Sequence, residues 1–186
     1  HNGSITNVII ENITIIGNRD SMNIYNANPY VNPTGHADTS TNQSVMGIYI
    51  KDATNITVRN VQADSVQGFG CEFYNSLNSN IYDSKFTTCG NGGVGYTTNG
   101  GRPCTGTMWN VNCTLNNSDN IRVVNGLGWI RIYNSDFSYS GSNASSENWF
   151  AGAYVYNSPN TFFENCRFFE NSAYGGDAAG VDSSYI

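Results

Sequence analysis

A short run of alternating apolar residues, led by glycine or asparagine, recurs along the chain. The second residues of successive runs are separated by 23, 23, 27, 32 and 28 positions. Alternation with a period of two is typical of β-strands. The runs are Gly47–Ile50, Gly70–Phe73, Gly93–Tyr96, Asn120–Val123, Gly152–Val155 and Gly180–Ser183. We therefore predict short strands that recur at a nearly regular interval.

A second pattern follows in phase with the first, with an apolar residue at each end and Asp or Asn in third place. Its copies are Ile81–Phe86, Ile132–Phe137 and Phe163–Phe168. Self-similarity at this interval predicts a solenoid, whose repeats bury their apolar faces only by stacking on one another. The abundant Asn and Gly disfavour helix. We predict an all-β, right-handed parallel β-helix of about six to seven coils, with the handedness taken from the rule for parallel crossovers.

Polar residues recur at one turn position of this repeat. They are Asp83, Asn110, Asn134 and Asn165. Asn and Asp tolerate the left-handed backbone conformation of tight turns. Their side chains can also stack as a ladder from coil to coil, and we expect both roles together.

We read residues 1–186 as one β-helix domain, interrupted by a long polar insertion at 18–46. The apolar pattern starts with the first coil and continues to the last residues without a polar cap. Solenoids need capped ends for solubility. We therefore expect a fragment of a longer protein, or a module that self-associates through its ends.

Charge and composition limit the classes of molecule that this protein is expected to bind. The formal net charge is −6, with eight Lys and Arg in total, which argues against nucleic acid. No apolar run is long enough to span a membrane. A surface rich in Asn, Ser, Thr and Tyr suits contact with neutral or uronic polysaccharide. We expect a secreted protein, or one on a cell or virion surface.

The sequence gives weaker evidence for a disulfide and for a metal site than for the fold. Cys89 and Cys104 lie near predicted turns, where a disulfide is one alternative, although spacing alone does not establish it. In the insertion, Asp20, His36 and Asp38 are candidate calcium ligands, but a calcium site needs more oxygen atoms than these supply. The sequence therefore does not identify a cofactor. Ca²⁺ is the candidate, and no metal ligands are assigned.

The outward residues of the glycine-led strands should form two columns. The first is Tyr49, Glu72, Gly95, Arg122, Tyr154 and Asp182, and the second is Lys51, Tyr74, Thr97, Val124, Tyr156 and Ser184. Coils stack about 4.8 Å apart, so neighbours in a column should touch. We expect these side chains to be exposed, with Lys51 beside Tyr74 and with Glu72 and Arg122 flanking a gap at Gly95.

These columns hold residues suited to the chemistry of acidic sugars. Abstraction of the proton next to a uronate carboxyl needs a Tyr or Lys base and a cation on the carboxylate, and tyrosine rings offer flat surfaces to sugars. The catalytic candidates are Tyr74, Lys51, Glu72 and Arg122, and the substrate-binding candidates are Tyr49, Tyr154, Tyr156 and Asp182. The alternative is that these side chains pair across strands for stability alone.

The chain resembles the pectate-lyase-like superfamily of right-handed β-helices, and most of all the mannuronan C5-epimerases and related alginate lyases. The resemblance rests on Gly17–Asp20, similar to a Gly-Asn-Arg stretch before a polar loop, and on Gly68–Asn75, in the place of a catalytic strand. The family's Tyr, Asp and His positions hold Phe69, Glu72 and Tyr74, and its lysine is kept as Lys51. The resemblance implies lyase or epimerase chemistry on an acidic glycan.

Two functions remain open at this stage. One is an extracellular module that recognises carbohydrate, with lyase or epimerase activity as its catalytic form. The other is a non-catalytic module, such as a surface adhesin, a phage or virus tail fibre, or a filament subunit. Fold does not choose between them, because function depends on the site.

Overall fold

The computed structural model of the chain describes residues 5–17, 46–98, 103–116, 119–140 and 151–171, and the backbone of 180–182. These residues form strands and connecting turns, and no helix occurs among them. The strands are β1 (Ile5–Ile16), β2 (Ile48–Lys51), β3 (Ala53–Asp64), β4 (Phe69–Tyr74), β5 (Leu77–Thr87), β6 (Gly92–Thr97), β7 (Gly106–Thr114), β8 (Asp119–Val124), β9 (Ile130–Tyr133), β10 (Ala153–Tyr156), β11 (Thr161–Glu164) and β12 (Gly180–Asp182).

The strands form two parallel sheets of six strands each. The odd-strand sheet has the order β1-β3-β5-β7-β9-β11, and the even-strand sheet has the order β2-β4-β6-β8-β10-β12. Because the chain passes from one sheet to the other strand by strand, it winds as a β-solenoid. The predicted all-β parallel solenoid is confirmed. Its right-handed winding, its six to seven coils and its single-domain extent stay predictions.

Backbone pairing in the even-strand sheet confirms most of the predicted alignment of glycine-led runs. Ile48 pairs with Cys71, and Cys71 pairs with Val94. Val94 in turn pairs with Ile121, and Ile121 with Ala153. The repeat seen in the sequence is therefore the stacking unit of the sheet.

The predicted alignment of the last run is wrong by two residues. Val181 pairs with Val155 rather than with Ala153, and Asp182 pairs with Tyr156. A shift of two residues keeps every side chain on its own face of the strand. The apolar pattern is consequently identical in both registers, and only the backbone pairing distinguishes them.

The hydrophobic core lies between the inner faces of the two sheets. Phe73 and Tyr96 enter it from the even-strand sheet, and Phe86, Met108 and Ile132 from the odd-strand sheet, all fully buried. Burying each such side chain contributes roughly 1.5–3 kcal/mol. The solenoid is thus held together by large apolar side chains that contact the coils above and below.

Glycine at the head of a run allows a close approach of neighbouring coils, as at Gly70 and Gly93. A Cβ at Gly93 would lie 2.6 Å from the carbonyl oxygen of Asn120 and 2.6 Å from the Cβ of Cys113. A Cβ at Gly70 would lie 2.9 Å from the carbonyl oxygen of Gly93. Asn120 occupies this position one coil later, where its buried side chain donates to the carbonyl of Ser138 at 2.9 Å.

The predicted left-handed turn conformation is confirmed at all four ladder positions, and hydrogen bonding from coil to coil is confirmed between Asn110 and Asp83. Asp83, Asn110, Asn134 and Asn165 have φ angles of 48°, 54°, 49° and 54°. The amide of Asn110 donates to the carboxylate of Asp83 at 2.7 Å. The turn geometry places these residues in register, and hydrogen bonding between them then links the coils at the surface.

The cysteines are thiols. A disulfide between Cys89 and Cys104 does not form, so that alternative is wrong. Both side chains are buried in the interior, as are Cys71 and Cys113. Burial raises the pKa of Cys104 to about 12 and also raises the pKa of Cys71 and of Cys113, because a thiolate loses its hydration there.

The predicted insertion at 18–46 lies outside the described residues except for Met46. The candidate calcium ligands Asp20, His36 and Asp38 lie outside them as well. Within the described part of the chain, no three His, Cys, Asp or Glu side chains gather as a metal site would require. That same part contains no helix of the length and hydropathy needed to cross a bilayer.

Candidate functional site

The two predicted columns lie side by side on the outer face of the even-strand sheet. The first runs through Tyr49, Glu72, Gly95, Arg122 and Tyr154. The second runs through Lys51, Tyr74, Thr97, Val124, Tyr156 and Asp182. We call this set the even-sheet outer face. Asp182 thus belongs to the second column and not to the first, and Ser184 lies outside the described residues.

Arg122 is held in a buried ion pair at the centre of this face. Its Nε and Nη2 donate to Oδ2 of Asp119 at 2.9 and 2.8 Å. The guanidinium carbon lies 5.7 Å from the ring centroid of Phe69 and 5.6 Å from that of Tyr154. Asp119 also accepts from the backbone N–H of Ala151 at 3.0 Å. The cation is therefore neutralised and enclosed between two rings.

Glu72 lies beside this pair and is also buried. Only 2% of Glu72 and 8% of Arg122 is exposed, so the prediction that both are accessible on the outer face is wrong. The hydroxyl of Thr97 donates to Oε1 of Glu72 at 2.7 Å. A Cβ at Gly95 would lie 3.2 Å from Cγ of Glu72, so the Glu72 side chain largely occupies the gap expected there.

The physical reason for this burial is that the polar groups satisfy one another. A buried charge is tolerated when it is paired and hydrogen-bonded, and Asp119 provides that pairing for Arg122. The rings of Phe69 and Tyr154 then cover the pair. The centre of the face is a structural network rather than an open row of reactive groups.

The exposed Lys51 and the half-buried Tyr74 lie at one end of the face. Nζ of the exposed Lys51 lies 5.4 Å from the ring centroid of Tyr74, which confirms the predicted neighbours. The Tyr74 ring lies 6.4 Å from the ring of Tyr49. A cation over an aromatic ring is attracted by the negative face of the ring. This end therefore presents a positive charge and aromatic surface together.

Two further tyrosines lie toward the other end of the same face. The rings of Tyr154 and Tyr156 are stacked, with centroids 6.4 Å apart and an angle of 8° between the planes. Tyr156 is 42% exposed, whereas Tyr154 is half-buried. They are four strand spacings from β2, or about 19 Å at about 4.8 Å for each spacing.

The structure brings only part of the predicted catalytic set together. Lys51 and Tyr74 are in contact, and Glu72 lies on the same strand as Tyr74. Arg122 is on β8, three strand spacings from Lys51. Tyr74 and Lys51 can therefore act at one point, whereas Arg122 is too distant and too enclosed to bind the same sugar carboxylate.

The sequence interpretation missed the partners that bury the centre of this face. Asp119 and Phe69 were not recognised as contacts of Arg122, although the Asp-x-x-Arg spacing from Asp119 to Arg122 was a usable signal. It also missed a row of aromatic residues on the odd-strand sheet. Each of these precedes a ladder residue: Tyr82 before Asp83, Trp109 before Asn110, and Tyr133 before Asn134.

Comparison with known proteins adds no assignment. No protein-family model, no curated protein and no solved structure matches the chain.

Proposed function

We propose that this β-solenoid is an extracellular module that recognises acidic polysaccharide through the Lys51 end of its even-sheet outer face. The observation that carries the proposal is the exposed ammonium of Lys51 over the ring of Tyr74, beside Tyr49. A lysine supplies a counter-charge for a sugar carboxylate. Aromatic rings supply the flat apolar surface on which the C–H face of a pyranose packs.

The catalytic form of this proposal is a lyase or epimerase with Tyr74 as the base and Lys51 as the cation. The contact between them and the resemblance to the epimerase and lyase family support it. The enclosure of Arg122 by Asp119, Phe69 and Tyr154 removes one predicted participant. Recognition alone requires only the accessible pair, so recognition is the broader conclusion.

Substitutions at Tyr74 separate recognition from catalysis. Tyr74→Phe keeps the ring and removes the hydroxyl, so we expect it to retain binding of alginate or polygalacturonate and to abolish any turnover. Tyr74→Ala and Lys51→Ala should both weaken binding, by about tenfold each. Calorimetry measures binding, while ultraviolet absorbance of unsaturated ends and NMR of the sugars measure turnover, with and without calcium.

A matched control is Lys85→Ala, because Lys85 is an exposed lysine on the odd-strand sheet. Equal losses in Lys51→Ala and Lys85→Ala would show a general charge effect and contradict the proposed site. Turnover that persists unchanged in Tyr74→Phe would exclude Tyr74 as the base.

The alternative, an adhesive or filament-forming module, is favoured by one observation on the odd-strand sheet. Strand β1 carries apolar side chains that are well exposed: Ile5 (57%), Ile9 (62%), Ile13 (40%) and Ile16 (79%). An exposed apolar strand is a template for pairing with another chain. Light scattering over a concentration series should then detect assemblies that Ile9→Lys disrupts and Gln62→Lys does not. Monomers at every concentration would exclude this alternative.

A further inference from the structure

The outer face of the odd-strand sheet carries a cluster of aromatic rings around one arginine. Strand β9 and the residues just before it present Trp129, Arg131 and Tyr133 in alternation. Tyr133 pairs with Trp109 of β7, and Arg131 pairs with Phe162 of β11. We call these five residues the Arg131 surface.

The rings of this surface are exposed although they are large and apolar. The exposed fraction is 47% for Trp109, 57% for Trp129 and 43% for Phe162. Their inward neighbours Met108 and Ile132 already fill the core, so the alternation of the strands directs the rings outward. A contiguous exposed patch of this kind marks an interaction site more often than a scattered hydrophobic residue does.

The rings are tilted against one another rather than stacked face to face. The centroids of Trp109 and Tyr133 are 5.5 Å apart with an angle of 44° between their planes. Those of Tyr133 and Phe162 are 6.0 Å apart with an angle of 60°. Cross-strand pairing accounts for the contacts, but it does not account for the exposed area that remains.

The charge on this surface indicates the kind of partner. Three of the described arginines face a carboxylate: Arg59 with Glu11, Arg122 with Asp119, and Arg167 with Asp136. Arg131 is exposed and has no ion pair with any carboxylate in the part of the chain that the structure describes. Its guanidinium carbon lies 5.6 Å from the ring centroid of Trp129, which holds it on the surface with its hydrogen-bond donors available.

We propose that the Arg131 surface binds a linear polysaccharide that carries carboxylates, lying along the axis of the solenoid. Arg131 binds a sugar carboxylate through paired N–H donors, and the rings of Trp109 and Tyr133, which pair across β7 and β9, receive the pyranose rings. The centroids of these two rings, on successive coils, are 5.5 Å apart, so successive sugars meet successive coils. This site is on the opposite sheet from Lys51 and Tyr74, and it needs neither of them.

Tryptophan fluorescence reports directly on this surface. The chain has three tryptophans, and two of them, Trp109 and Trp129, belong to the surface, whereas Trp149 lies outside the described residues. In a Trp149→Phe background, titration with polygalacturonate should change the emission of these two alone. Carboxyl-reduced polygalacturonate has the same backbone without the charge, and we expect it to bind about tenfold more weakly.

The variants Arg131→Gln and Trp109→Ala should each weaken binding of polygalacturonate to this surface by about tenfold, measured by the same tryptophan titration on the full chain in the Trp149→Phe background. Matched controls are Lys85→Gln, which removes an exposed charge from the same sheet, and Phe169→Ala, which removes a ring that is also 43% exposed. Circular dichroism and thermal unfolding of each variant verify the fold. Retained binding in both controls supports the proposal.

Other outcomes overturn it, and they separate it from the function proposed above. Unchanged binding in Arg131→Gln and Trp109→Ala overturns the Arg131 surface, and a loss confined to Lys51→Ala then leaves the even-sheet site standing. Equal affinity for the reduced polymer overturns the role assigned to the carboxylate. If the wild-type chain binds no polysaccharide at all, both proposals fail.

Discussion

The outer faces of the two sheets differ in the exposure of an arginine that lies next to aromatic rings. On the even-strand sheet, Arg122 is 8% exposed, pairs with Asp119 and lies between two rings. On the odd-strand sheet, Arg131 is exposed over the ring of Trp129. Both are arginines at outward positions of the successive strands β8 and β9, yet only the second is available to a ligand.

The difference shows that an outward position in a solenoid strand does not by itself make a functional residue. Where a carboxylate lies three residues before the arginine, as Asp119 does before Arg122, the two side chains form an ion pair. Where the alternating neighbours are aromatic, the cation remains on the surface. The identity of the adjacent residues thus separates a structural arginine from a candidate binding residue.

The most severe test of this comparison is Asp119→Asn. It leaves the Arg122 cation buried without its counter-charge, so we expect the free energy of unfolding to fall by about 3–5 kcal/mol. Urea unfolding followed by circular dichroism measures this. The control is Asp136→Asn, whose partner Arg167 is exposed at 3.8 Å, and which should cost less than about 1 kcal/mol. Equal losses would remove the distinction between the two faces.

Glycine substitutions distinguish the inner and outer sides of the even-strand sheet. Gly93→Ala places a methyl group 2.6 Å from a backbone oxygen, and we expect it to cost about 1–3 kcal/mol. Gly95→Ala meets the Glu72 side chain at 3.2 Å, a contact that a shift of a few tenths of an ångström relieves, and it should cost less than about 1 kcal/mol. Denaturation midpoints compare the two. A larger cost at Gly95 would show that the outer face is packed as tightly as the core.

Alkaline pH tests the interior that both sheets share. An unfolded thiol ionises near its ordinary pKa of 9.0, whereas the pKa of Cys104 is raised to about 12 by burial. Between these values the folded chain holds a proton that the unfolded chain has lost. The contribution of this one thiol should therefore lower the free energy of unfolding by about 1.4 kcal/mol for each pH unit above 9.

The variant Cys104→Ala isolates that contribution. Cys71 and Cys113 still lose their protons on unfolding. The number of protons lost on unfolding should therefore decrease by one, so the dependence of stability on pH should become weaker but should not vanish. Cys166→Ala, at a half-buried position, serves as the control and should change the slope less. An unchanged slope in Cys104→Ala would place the alkaline sensitivity elsewhere.

The effect on stability expected at the Arg131 surface is small. Because Trp109 is 47% exposed, Trp109→Ala should lower the free energy of unfolding by only about 0.5–1 kcal/mol, the value of a cross-strand pair. Phe73→Ala, in the core, should cost about 3–5 kcal/mol. Thermal unfolding checks both. If Trp109→Ala lowered the free energy of unfolding as much as Phe73→Ala, the Trp109 ring would have a structural role. The contrast with the even-strand sheet would then be weaker.

Much of the fold was predictable because its strongest constraints are local and repeated. Glycine leads most of the runs because neighbouring coils approach closely there, as at Gly93, so it marks the repeat in the sequence. Asp83 and Asn110 mark the turns, because few other residues adopt a positive φ at low cost. These two signals gave the strand order and most of the register in advance.

The candidate site was less predictable because the alignment of the strands does not show which side chains pair with one another or become buried. The alignment correctly placed Lys51 beside Tyr74 and Glu72 beside Gly95. It did not reveal that Asp119 binds Arg122, and it placed Asp182 in the wrong column. A two-residue shift of a strand preserves the alternation of its side chains, so no apolar pattern could have detected that error.

The sequence by itself determined a parallel β-solenoid with glycine-led strands, a polar ladder and a net negative charge. These properties follow from residue spacing, which repeats along the chain. Only the tertiary structure decided which outward groups are enclosed, that Cys89 and Cys104 stay thiols, and that Arg131 lies exposed among aromatic rings. The physical reason is that burial depends on side chains from other coils, such as Phe69 and Tyr154 around Arg122, which lie more than thirty positions away in the chain.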